Sequence, residues 1–183
     1  MTQEKKLENK NILMIIASKN FRDEEYFIPF QIFQKEGAKI ITASSKEGNV
    51  IGVHGGEAVS DLTLQKVEMK NFDAVVFIGG SGASEFFDDF DAHRIIGDVI
   101  KLDKILAAIC IAPVILAKAG VLKGKNATVW SSTLDKVGVK ELEVAGCDVF
   151  DKNIVTDGNI ITANGPAVAE EFAKEIIKVI LSK

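Results

Sequence analysis

Residues Lys104 to Ala117 read K-I-L-A-A-I-C-I-A-P-V-I-L-A. The apolar pattern changes period at the cysteine. Ile105 to Ile109 is an unbroken apolar run, the pattern of a strand covered on both faces. From Ala112 to Ala119 the spacing is helical, and Pro113 suits a first helical turn, where its missing N–H costs nothing. A buried strand, one cysteine and a helix in direct succession make a sharp elbow, and this unit belongs to a doubly wound α/β fold.

The rest of the chain repeats that alternation. Ile12 to Ala17 and Asp73 to Ile78 are further two-sided apolar strands, and Ala38 to Ala43 is another strand. Phe27, Ile28, Phe30, Ile32 and Phe33 form a helical stripe whose start is crowded with acids, as a helix dipole favours. Gly37 is placed to cap its end. Val50 to Leu62 reads as short strands around the loop Gly52-Val53-His54-Gly55-Gly56. Helices are expected from about Asp91 to Leu102 and from Pro166 to Leu181. I-V-T-D-G-N-I-I-T reads as a hairpin turning at Asp157-Gly158. The expected fold is a mostly parallel sheet between helices, in one domain spanning 11–183 after a polar tail of residues 1–10.

Whole-chain properties exclude several classes. With 183 residues, 47% hydrophobic and 26% charged, the chain has an ordinary globular balance. A net charge of −4 argues against nucleic acid or an anionic membrane as the main partner. The longest apolar run, Ile105 to Ala117, contains a proline and is too short to span a bilayer. The start, M-T-Q-E-K-K-L-E-N-K-N, lacks the pattern of a secretory or transit peptide, so a cytoplasmic setting is expected. Cys110 and Cys147 form neither a disulfide framework nor a metal-ligand spacing, and no metal or cofactor is expected.

In such a sheet, sites form outside the carboxyl ends of the strands. Three segments end there: Ala17 to Glu25, Gly79 to Ser84, and Cys110-Ile111-Ala112. Two readings of Cys110 stand at this point. It is a small core hydrophobe, or it is a thiol over a helix start, where N–H groups and the dipole lower its pKa. Gly79-Gly80-Ser81-Gly82 is a plain tight turn, or it supplies an N–H at Gly80 that joins Ile111 in an anion hole beside Cys110. No P-loop Lys-Ser/Thr follows those glycines. Glu25 is a solvated helix-start acid, or a buried carboxyl whose raised pKa lets it donate to sulfur. The acids around it would suit a phosphoacceptor domain, but that needs an aspartate ending the third strand, where Ile78-Gly79 stands. His93 is expected on the surface and His54 in a loop with a structural hydrogen bond. Trp130 packs or walls the pocket.

The motifs F-R-D-E-E-Y-F-I-P, A-V-V-F-I-G-G, A-A-I-C-I-A-P-V-I-L-A-K-A-G-V-L-K-G and I-I-T-A-N-G-P occur in this order from Asn11 to Ile180. In that combination the chain resembles the ThiJ/PfpI superfamily, in its DJ-one-like branch. The resemblance implies a flavodoxin-like, class I glutamine amidotransferase-like fold and a homodimer or higher homo-oligomer. It also implies a reactive elbow cysteine at Cys110, a protonated glutamate at Glu25 and backbone donors at Gly80 and Ile111. Gly79, His54, Trp130 and Asn164 are candidate pocket residues. The peptidase-like branch carries a histidine after the cysteine. Here Ile111 stands in that place and can neither accept a proton nor orient a base. Resemblance to the DJ-one-like branch, which lacks that histidine, implies cofactor-free glyoxalase or deglycase action on small reactive carbonyls. The alternative is an oxidative-stress sensor or chaperone acting through Cys110 oxidation, and a cysteine peptidase ranks last.

Overall fold

The computed structural model describes residues 5–183. In chain order the elements are β1 (Asn11–Ile15), β2 (Lys19–Phe21), α1 (Asp23–Lys35), β3 (Lys39–Ser44), β4 (Gly48–Gly52), β5 (Glu57–Ser60) and β6 (Leu62–Thr63). There follow β7 (Ala74–Phe77), α2 (Phe90–Lys101), β8 (Ile105–Ile109), α3 (Pro113–Lys118), β9 (Asn126–Ala127) and α4 (Val137–Val144). The chain closes with β10 (Asp148–Val149), β11 (Ile154–Asp157), β12 (Ile160–Ala163) and α5 (Ala169–Leu181).

Seven strands form the central sheet in the order β11-β12-β8-β7-β1-β3-β6. All neighbours run parallel except β11, which returns antiparallel on β12. Every residue of β7 and β8 is buried, so these strands are covered on both faces and read as continuous apolar runs. On the helical side, α1 packs along α5, while α3 packs with α2 and α4. From β1 the chain first winds outward to β3 and β6, then returns to β7 on the other side. That reversal leaves a crevice between the carboxyl ends of β1 and β7, beside β8. Sheet and helices agree with the expected flavodoxin-like α/β class.

Within the polar start of the chain, Leu7 is fully buried and its N–H donates to the carbonyl of Glu36 (2.8 Å); residues 1–4 lie outside the described residues. Three local expectations are corrected. The first strand stops at Ile15 rather than Ala17, and the chain forms β2, which pairs with β4 in a separate three-stranded ribbon. The polar run Ser18-Lys19-Asn20 hid that strand, because its ladder lies at the edge and not in the core. In the hairpin, Asp157 pairs with Ile160, so the turn residues are Gly158 and Asn159. Asp157 stays in its strand because its carboxylate accepts from the Asn126 N–H (2.9 Å) and Lys125 Nζ (3.2 Å), and Gly158 takes the positive φ of +60°. Finally, helix α4 carries no strong apolar stripe and was not expected.

Candidate active site

Cys110 leaves β8 with φ +63°, a left-handed conformation that costs a side-chain-bearing residue energy unless its surroundings hold it. They do. Its N–H donates to the carbonyl of Ala163 at the end of β12 (2.9 Å), and its carbonyl accepts from the Trp130 N–H (2.8 Å). Pro113 then starts α3 at once, so the chain turns within two residues. The elbow is pinned from two neighbouring segments, and its half-buried side chain meets the crevice.

Glu25, the third residue of α1, is completely buried. Its Oε2 accepts the Gly79 N–H (3.0 Å), while Oε1 has no hydrogen-bond partner among the described residues. Gly79 explains how Glu25 and Cys110 meet. A Cβ added there would lie 2.7 Å from Glu25 Oε2, 2.7 Å from Cys110 Cβ and 2.8 Å from the Ile109 carbonyl. Only glycine lets the three approach. Gly80 has φ +97°, with no room for a Cβ against the Arg22 nitrogen (2.5 Å). Its N–H and that of Ile111 both act on the Cys110 sulfur.

Burial raises the Glu25 carboxyl from 4.5 to about 7, against the opposing pull of the thiol, the Gly79 N–H and Arg22. Burial likewise pushes the Cys110 thiol up to about 12, with the charge of Glu25 the next cause. This corrects the expectation that the elbow depresses the thiol. Two N–H donors do not outweigh removal of the sulfur from water. Both shifts have removal from water as their main cause, and the two groups titrate as a pair.

The remaining candidates divide. Trp130 belongs at the site through its N–H to Cys110, and its ring edge lies 3.5 Å from where a Cβ of Gly165 would sit. Asn164 follows Ala163, but its side chain bonds Asn153 instead (3.4 Å). His54 lies half exposed in the β4–β5 loop, with Nε2 3.8 Å from Glu24. His93 is partly exposed, and its Nε2 hydrogen-bonds with the Phe87 carbonyl (2.9 Å). Ile111 packs its Cδ1 close to Gly138. Among the described residues no cluster of His, Cys, Asp and Glu has the make-up of a metal site. Arg22 was missed. As the lone cation in F-R-D-E-E, forked by Glu24 (2.9 and 3.3 Å), it acts electrostatically on both Glu25 and Cys110. A wide groove of about 970 Å³ lies elsewhere, between α1 and α5. It lacks a strained residue or an orphaned buried oxygen, so the chemistry is assigned to the elbow.

With this geometry in place, comparison with known proteins is decisive. Residues 10–179 match the DJ-1/PfpI family. The chain belongs to that family. It is 30% identical to the deglycase PH1704 of Pyrococcus horikoshii over 92% of this chain and 98% of that protein. It is 25% identical to the glutathione-independent glyoxalase DJR-1.2 of Caenorhabditis elegans, over 92% of this chain and 88% of the other. The crystal structure of a ThiJ/PfpI domain protein from Brachyspira murdochii superposes with a TM-score of 0.91 at 34% identity. That match covers 96% of this chain and 99% of that one.

Proposed function

We propose that this family member acts on small reactive carbonyls, isomerising α-oxoaldehydes such as methylglyoxal to 2-hydroxy acids or removing their adducts. The observation that carries the reading is the buried Glu25 carboxyl, with one oxygen unpartnered, beside the thiol of a strained elbow. As the sulfur adds to the aldehyde carbon, Glu25 takes the thiol proton and returns it to the new alkoxide, giving a hemithioacetal. The N–H groups of Gly80 and Ile111, near the sulfur, suit the oxyanion that forms beside it. Glu25 then removes the proton from the former aldehyde carbon, and the neighbouring carbon is reprotonated. The aldehyde carbon is oxidised and the ketone carbon reduced, so no external electron carrier enters. Water cleaves the resulting thioester, releasing the hydroxy acid and restoring the thiol. Relatives named as a deglycase and a glyoxalase support this reading.

The same donors favour a second reading, in which peroxide oxidises Cys110 to a sulfinate held by Glu25 and the two N–H groups. A peptidase is disfavoured, since His54 and His93 are engaged away from the elbow and Ile111 offers no base. The proposal includes a homodimer or larger homo-oligomer in the cytoplasm; among the described residues no helix is long and apolar enough to cross a membrane. The test is a panel of α-oxoaldehydes and their adducts, with product assayed for wild type and Cys110→Ser. Hydroxy-acid formation that disappears in Cys110→Ser is expected. Turnover that survives the substitution overturns the mechanism, and its absence in wild type leaves the sensor.

A further inference from the structure

The cation that sequence reading passed over is built into the wall of the site. Arg22 caps the start of α1, three residues before Glu25. Its N–H donates to the Gly79 carbonyl (3.0 Å), and its nitrogen, with the carbonyl groups of Asn20 and Phe21, leaves no room for a side chain at Gly80. The Arg22 side chain is partly exposed, and its guanidinium is gripped by one carboxylate, with Nε 2.9 Å and Nη2 3.3 Å from the two oxygens of Glu24. Other charged groups nearby are committed elsewhere. Asp23 accepts from the N–H groups of His54 and Gly56 (2.8 and 2.7 Å). Glu85 accepts from Ser18 and Ser45, and Lys136 donates to Ser131. His54 faces Glu24, with Nε2 3.8 Å from Oε1.

We propose that Arg22 is a positioning residue, which holds the single negative charge shared by Cys110 and Glu25, while Glu24 opposes it. Together they set the pH at which the site becomes competent. This rests on the reading that Cys110 and Glu25 carry the chemistry.

With both protons on, the pair is neutral; with one proton lost, it carries one negative charge, on oxygen or on sulfur. Either location lies within the influence of the guanidinium. A fixed cation favours the charged form and lowers the pH at which it appears. A neighbouring carboxylate does the reverse. Arginine keeps its charge throughout the accessible range, so its effect does not fade as pH rises. Partial exposure admits screening by salt, which makes the effect measurable as a salt dependence.

The experiment follows the iodoacetamide alkylation rate at Cys110, read by peptide mass, against pH. It is paired with the pH profile of carbonyl turnover. Arg22→Gln is expected to move the acid limb upward, slowing alkylation near neutrality by roughly threefold to tenfold. Arg22→Lys is expected to restore most of the rate, because it keeps the charge. Glu24→Gln is expected to move the limb downward, and added salt to shrink both displacements. Lys174→Gln, at an exposed position on α5, should change nothing. Shifts of Arg22→Gln and Glu24→Gln in the same direction would overturn the proposal, as would Arg22→Lys behaving like Arg22→Gln. If Arg22→Gln fails to fold, Glu24→Gln decides, and an unmoved limb in that variant refutes it. Wild type that alkylates with this pattern yet turns over no carbonyl defeats the proposed function and leaves the role of Arg22 standing.

Discussion

Replacing Glu25 by glutamine should make the protein more stable and less active, and the stability gain should depend on pH. Glu25 is fully buried and has its pKa raised from 4.5 to about 7, with burial the largest cause. Between those values the unfolded chain has released a proton that the native state still holds. The native state therefore binds more protons, and stability falls as pH rises through that window, then levels off above about 7. From 4.5 to about 7, at about 1.4 kcal/mol per pH unit, the cost reaches about 3 kcal/mol. Glutamine keeps an oxygen for the Gly79 N–H and has no charge to bury, so it should recover about 2–3 kcal/mol at alkaline pH and almost nothing near the acid end. For a domain of this length that is a rise in Tm of about 5–10 °C. Urea unfolding of both proteins under reducing conditions, at about pH 5 and about pH 8, measures it. The same variant loses the anion that raises the Cys110 thiol, so alkylation should quicken while carbonyl turnover collapses. A stability difference that is the same at both pH values, or a variant less stable at both, would refute the reasoning.

Mild peroxide should oxidise Cys110 well ahead of Cys147, as peptide mass analysis would show. Both thiols are held high, at about 12 and about 11, so thiol pKa alone would favour Cys147. Access should decide instead: Cys147 is buried with its Sγ on the Lys125 carbonyl (3.1 Å), whereas Cys110 is half-buried at the crevice. Equal modification of the two in folded protein would contradict this. Gly79→Ala should abolish turnover and cost about 2 kcal/mol or more in urea unfolding, since the added carbon meets Glu25, Cys110 and the Ile109 carbonyl at under 3 Å. Gly158→Ala should cost about 1 kcal/mol in the same assay, because its φ of +60° strains any residue with a Cβ, although a methyl there would clash with nothing. Activity should be untouched by that change.

Part of this site was legible because its signals are local. The change of apolar period at Cys110, with Pro113 behind it, marks a strand-to-helix elbow whatever the rest of the chain does. The glycines after Ile78 mark the end of a second buried strand. Other features had no local signal. β2 is three residues long and two of them are polar, so no run of apolar residues announces it. The hairpin turn slipped by one residue because Asp157-Gly158 is a good turn sequence, yet distant Lys125 and Asn126 hold Asp157 in the strand. Arg22 looked like one charge among several at a helix start.

By itself the sequence determined the α/β class, the succession of its main strands and the elbow, since side-chain periodicity and backbone preference operate over a few residues. Its ordered motifs were also enough to point to the family. Only the tertiary structure decided which way the chemistry is set. Glu25 and Cys110 are 85 positions apart, and they meet because β7 and β8 are neighbours and Gly79 leaves space between them. Their protonation follows from that burial. The helix start and N–H groups that a sequence reader credits with lowering the thiol are present, but loss of water around the sulfur and an adjacent carboxyl outweigh them. Desolvation depends on everything packed around a group, and no short stretch of sequence encodes it.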